Sequence, residues 1–443
     1  MGKPMTQIYR YVIEDRRHVP PFNEPASQLT IGLKELKIHQ EDLFSALFSQ
    51  DMSLGAPLRS RDEITQITEP AIVYCDSLWF DAEFLDTFWQ QAQQHNRACR
   101  AAFPADDKAF RTYALPLSTM FEEAISPDGS AIYLMDLWYL PHGYEPDPEP
   151  VIIPSDAKEK GFYSVPDFMT MEQGDLTHYL PARAALSIES WVHVYFASII
   201  FGVFSRASRF DDRVAQHNFF ALKLLWRAAL EMKQVLSTST AVKVGRGTVI
   251  HPTAIITGPA EIGENCTIGP GVMIDNCTIG NNVTVDDGCV LMMSTVADGS
   301  FLPFRTALYL TAVMENTIMA QNTCLQMCVI GRRSFVGAGN TFTDFNLIEQ
   351  KPIRAANNRG ELEPVGQIVL GSGVGHNVRI GSGVIVYPGR MIESDVVIVA
   401  SPERRVIMRN VYYEESDHHQ FMRKHRRFYP RDRRREIVAE ENW

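Results

Sequence analysis

Val244-Gly245-Arg246-Gly247-Thr248-Val249-Ile250-His251-Pro252-Thr253-Ala254-Ile255-Ile256 carries an aliphatic side chain at every sixth position, Val244, Ile250 and Ile256. The spacing runs on through Ile262, Ile268 and Ile274 and, after a slip of one residue, through Ile279, Val285 and Leu291. It returns at Ile330, Val336 and Phe342, and again at Val374, Ile380, Val386, Ile392 and Ile398. A corner-forming residue often follows, as in Ile262-Gly263 and Ile268-Gly269. An α-helix repeats every 3.6 residues and a strand every two, so one apolar residue in six requires a chain that turns a corner each time. The pattern predicts a parallel β-helix of hexapeptides, three walls to a coil of about eighteen residues, each coil covering the apolar layer of the last. A sandwich of short strands would instead give turn signals about every 8 to 12 residues.

Working outward, residues 1–186 read as an α/β domain, 187–240 as a helical connector, 241–400 as the β-helix and 401–443 as a basic tail. In the first part, Ala71 to Cys75 and Ala131 to Tyr139 are predicted strands, and Arg97 to Phe103 a returning strand. Between them, Ala82 to His95 is a predicted helix. Pro146, Pro148 and Pro150 hold an extended connector. The fourteen residues Trp191 to Phe204 are too short an apolar run to cross a bilayer and predict a buried helix. A second helix is expected over Val214 to Leu236, with Phe219, Leu222, Leu225, Trp226 and Leu230 on a buried face.

The bulk properties narrow the function. A chain of 443 residues exceeds the size of a single core, and its net charge of −11 argues against nucleic acid as a general partner. Seven cysteines without Cys-x-x-Cys spacing suit reduced, buried thiols, and Met1 to Arg10 has no apolar run, so a cytoplasmic location is expected. The tail carries 11 Lys or Arg against 8 Asp or Glu and is expected to dock on the acidic body or on a neighbouring subunit. Arg206, Arg209 and Arg213 beside the connector helices leave peripheral membrane contact as a further expectation.

The prism resembles the hexapeptide acyltransferases, and the resemblance implies a homotrimer acting on a small-molecule substrate with an acyl-CoA or acyl-carrier thioester as donor. Gly375-His376-Asn377-Val378-Arg379-Ile380-Gly381 resembles the segment around the catalytic histidine of the glucosamine N-acyltransferases of lipid A synthesis. It makes His376 the candidate general base, since imidazole takes a proton near neutral pH. Asn377 and Asn346 would then orient the acceptor. Lys351 and Arg354, in the segment 349–366 that breaks the six-residue rhythm, would hold anionic groups.

A longer resemblance, to the sugar-1-phosphate nucleotidylyltransferases fused to glucosamine-1-phosphate acetyltransferases, covers nearly the whole chain. It rests on Val336-Gly337-Ala338-Gly339-Asn340-Thr341 through Leu347, on Pro388-Gly389-Arg390-Met391-Ile392, and on Glu24-Pro25-Ala26-Ser27-Gln28-Leu29-Thr30-Ile31-Gly32. The last resembles an Arg-Pro-x-x-x-Leu-Arg-x-Gly opening with Glu24 and Thr30 in place of both arginines. Ala320-Gln321 and Cys324 stand where that family has a Gly-His pair and a tyrosine, and no Gly-x-Gly-Thr-Arg loop occurs. The N-terminal domain is therefore expected to be a degenerate nucleotidyltransferase, with Asp76 its one candidate for Mg²⁺ and no tightly bound cofactor. The resulting expectation is acyl transfer to a sugar nucleotide, or a non-catalytic sugar-nucleotide-binding or scaffold protein that has lost both activities.

Overall fold

A computed structural model describes residues 7–48, 52–163, 176–346, 351–421 and 425–432. The first part is a mixed sheet. Strands β1 (Ile8–Ile13), β2 (Met52–Leu54) and β3 (Ala71–Cys75) are parallel, with β1 in the middle. Strand β6 (Ala131–Leu140) pairs antiparallel with β3 on one side and with β4 (Cys99–Pro104) on the other. Strand β5 (Glu122–Ile125) adds to β6, and β7 (Glu149–Ile152) closes the edge parallel to β4. Every residue of β3 is buried, as a central strand covered on both faces requires. Helix α1 (Leu36–Phe48) packs Phe44 on Tyr74 and Phe80. Helix α2 (Ala82–Ala92) starts at Asp81, whose side chain accepts the Phe84 N–H, and turns Phe84, Leu85 and Phe88 inward.

The apolar run behaves as its composition predicts. Helix α3 (Trp191–Tyr195) continues into a π-helical stretch, Phe196–Phe204, with every residue but Gly202 buried. No described helix is long and apolar enough to cross a membrane. The next expected helix is two. The chain breaks at His217, dividing α4 (Ser205–Gln216) from α5 (Asn218–Glu231). The expected burial of the α5 face is corrected as well: Leu224 alone is buried, while Phe219, Leu222, Leu225, Trp226 and Leu230 face outward. The other side of the helix packs against α4 and the turn at 235–237.

The prism is the expected left-handed β-helix, with three sheets of eight parallel strands as walls. The register advances 18 residues from Val244 to Ile262 and then 17 from Ile262 to Ile279. It keeps 17 through Leu325 to Phe342. The residue is lost at one corner of each coil, where Asn276, Met293, Leu310 and Met327 all adopt positive φ. Val296, Leu302, Leu308, Val313, Met319 and Leu325 thus fill the interior between the two sequence segments that show the six-residue period. A jump of 44 from Ile330 to Val374 marks the insertion, after which the register returns to 18 from Val374 to Ile392.

That short corner joins the two parts. Left-handed backbone disfavours side chains other than Gly, Asn and Asp, yet Leu310 and Met327 occupy it fully buried. Both belong to the same apolar cluster as Trp191, Tyr195 and Ile199, so burial of order 2 kcal/mol per side chain offsets the backbone cost. At Gly373 a Cβ would stand 2.5 Å from the Trp191 ring, so only glycine lets that ring lie on the wall.

Candidate functional site

His376 precedes the corner residue Asn377, whose φ of +54° places it in the left-handed region and whose side chain donates to Asp395 at 2.7 Å. The imidazole is 0 % exposed. It lies between Phe22 and Tyr429, with ring centroids 5.1 and 4.8 Å away. Nδ1 accepts the Arg332 backbone N–H at 3.0 Å, which in a neutral ring leaves the proton on Nε2. Nε2 faces the Glu24 carboxylate at 3.3 Å. Burial pulls the pKa below the usual histidine value, against the opposing pull of Glu24. As the ring sits, Nδ1 is taken by the Arg332 N–H and Nε2 is turned to a carboxylate of the same chain, both out of contact with solvent.

Glu24 is also bound to Arg332, at 3.2 Å. Arg332 lies 3.6 Å from Glu315, which accepts a hydrogen bond from the Thr30 hydroxyl, and it donates to the Gln28 carbonyl at 2.6 Å. The two opening positions that depart from the arginine pattern thus meet one ion-pair cluster of the prism, Glu24 at Arg332 and Thr30 at Glu315. Sequence reading missed Arg332, Glu315 and Tyr429, because no local pattern marks residues that act across the chain; the signal was the pair of charge changes at 24 and 30.

The tail meets the same coil. Asp395 accepts the Phe428 and Tyr429 N–H groups at 2.8 and 2.6 Å. Glu393, 2 % exposed, takes Asn23 Nδ2 at 2.9 Å and pairs with Arg427 and Arg431. Residues 425–432 thus dock on the acidic groups of their own chain.

The remaining candidates lie apart from this cluster. Asn346, half-buried, and Lys351, exposed, flank residues outside the described set. Arg354 belongs to a hairpin, Arg354–Ala356 with Leu362–Pro364, and donates to the Leu362 carbonyl at 2.5 Å. The hairpin is held to the N-terminal domain: Ile353, Ala355 and Ala356 enter the apolar cluster, and Asn358 donates to Glu189 at 2.8 Å. Asp76 accepts the Asp15 backbone N–H at 2.8 Å, and burial raises its pKa to about 6. Among the described residues no group of three His, Cys, Asp or Glu side chains could hold a metal ion. All seven cysteines are free, and six are buried.

A different surface opens at the first coil. His251 is exposed there, with Nδ1 on the Thr253 hydroxyl at 2.9 Å. It lines an open groove of about 860 Å³ together with Lys233 and Lys243. Beside it a cavity of about 460 Å³ lies between α4, α5 and the first coil.

The bacterial transferase hexapeptide (six repeats) family model matches residues 241–276, the first two coils. A solved hexapeptide transferase family protein from Anaplasma phagocytophilum is similar over 40 % of this chain and 88 % of its own, at 16 % identity and a TM-score of 0.19. No curated protein matches. The hexapeptide prism then extends well beyond the matched residues, to Ile407 in the third wall.

Proposed function

We propose that this chain is a hexapeptide-repeat protein of the transferase type whose α/β domain has become a docking partner of the prism, giving a rigid scaffold in place of two active sites. The supporting observation is the convergence of Glu24 and His376 on Arg332, and of Thr30 on the Glu315 beside it. The opening segment spends its polar groups on the prism, and the histidine spends Nδ1 on the prism backbone at Arg332 and turns Nε2 to Glu24 of the opening segment. A base must reach the proton that it removes, and a donor-lined loop must reach a phosphate. Neither group is presented outward in this arrangement.

Two measurements test the reading. Titration with UDP-N-acetylglucosamine and Mg²⁺ should give no tight binding, and thiol release from acetyl-CoA with amino-sugar acceptors should stay at background. The His376→Ala chain should lose about 2–4 kcal/mol of stability in denaturant melts, as expected when a buried charge-assisted pair loses one partner. Turnover that disappears in His376→Ala while stability is retained would overturn the scaffold reading.

A second reading, acyl transfer at the open end of the prism, is favoured by one observation: His251 is an exposed histidine in a groove flanked by two lysines. Lys233 and Lys243 suit the phosphates of a CoA-type donor, and Nε2 of His251 would take the acceptor proton. Turnover abolished by His251→Ala and kept by His376→Leu would select it.

A further inference from the structure

Helix α5 carries a second observation that the scaffold reading does not use. Phe219, Leu222, Leu225, Trp226 and Leu230 are exposed, and at 3.6 residues per turn they fall within an arc of about 140°. Met232, 92 % exposed, extends the stripe past the helix end. Soluble chains rarely leave an aromatic and aliphatic face of this size uncovered without a use for it.

The charges beside the stripe are selective. Lys223 and Arg227 border one edge of it and line the 460 Å³ cavity together with Arg206, Arg213 and Lys243. Glu261, paired with Lys243 at 2.7 Å, is the one carboxylate in that lining. The chain as a whole carries −11, so this cationic cluster runs against the general charge. Arg213 lies over the Phe220 ring at 4.2 Å, and the long stems of such cations let an apolar face sink while their heads stay in water.

We propose that α5 docks on an anionic lipid surface, with its apolar stripe in the headgroup region and the cations of the cavity against lipid phosphates. Charge complementarity selects this occupant over a second copy of the chain. A two-fold pairing of the stripe would bring Lys223 and Arg227 toward their own copies, whereas an anionic bilayer neutralises them. Amphipathic helices with Trp, Phe and Leu on one face and Lys and Arg beside it bind interfaces in this way.

The test is co-sedimentation of the full chain with vesicles of phosphatidylcholine alone and of phosphatidylcholine with phosphatidylserine. Binding is expected to the second only, to weaken with added salt, and to shift the emission of Trp226 to the blue. Leu222→Glu with Trp226→Glu should abolish it, and Lys223→Glu with Arg227→Glu should weaken it roughly thirtyfold. These positions are exposed, so the variants should keep the wild-type melting curve, and that curve is the control. Equal binding to both vesicle types, or none, overturns the proposal. So does an oligomer that Leu222→Glu converts to monomer, since the stripe would then belong to a second copy.

Discussion

Histidine supplies the sharpest tests at the scale of single residues. His178, 4 % exposed and 3.1 Å from the Tyr113 hydroxyl, has its pKa lowered by burial to about 4. The unfolded chain takes up that proton near pH 6.5, so between about 6.5 and 4 the unfolded state binds more protons than the native one. The stability contributed by the neutral ring is therefore complete above that window and falls as pH drops through it, by up to about 1.4 kcal/mol per pH unit. Asp76 and Asp81, raised to about 6 and about 7, act with the opposite sign, so whole-protein melts alone do not isolate the effect. The difference between wild type and His178→Asn in urea melts at several pH values does. It should shrink as the solution is acidified, and a flat difference would show that the ring is not held neutral.

For single elements, the short corner of the prism separates what the sequence revealed from what it hid. Six-residue spacing exposed the first coils, because each interior position there is aliphatic and evenly spaced. From Val296 to Leu325 the spacing falls to five at one corner of every coil, and the pattern dissolves although the fold continues. The cause is tertiary. Met293, Leu310 and Met327 occupy corner positions that an isolated coil would give to Asn or Gly, as Asn276 does in the coil before them. Leu310→Asn suits the backbone better and should nevertheless cost about 2–4 kcal/mol, because an amide would be buried among apolar groups. Gly373→Ala should cost about 1–3 kcal/mol by displacing the Trp191 ring. Thermal melts check both. The α5 face shows the converse limit: helical periodicity finds an apolar stripe, but it does not say whether protein covers it.

Across the whole molecule, the opening segment and residues 425–432 close on the same coil, with Asn23 donating to both Glu393 and the Tyr429 carbonyl. None of these contacts is local, which is why the candidate site was legible as far as His376 and Asn377 but not as far as the groups that surround them. A chain ending at 424 should keep the prism and lose this closure. Limited trypsin digestion should then cut at Arg16 and Arg17 much faster than in the full chain, while cleavage within the prism stays unchanged. The closure also imposes an order on biosynthesis. Synthesis runs from the N-terminus and domains tend to fold as they emerge. Yet the segment around Asn23 waits for a latch near residue 429, made hundreds of peptide bonds later. Until the ribosome reaches it, Glu24 and His376 meet without their lid, and a nascent chain stalled short of that point carries an unfastened beginning.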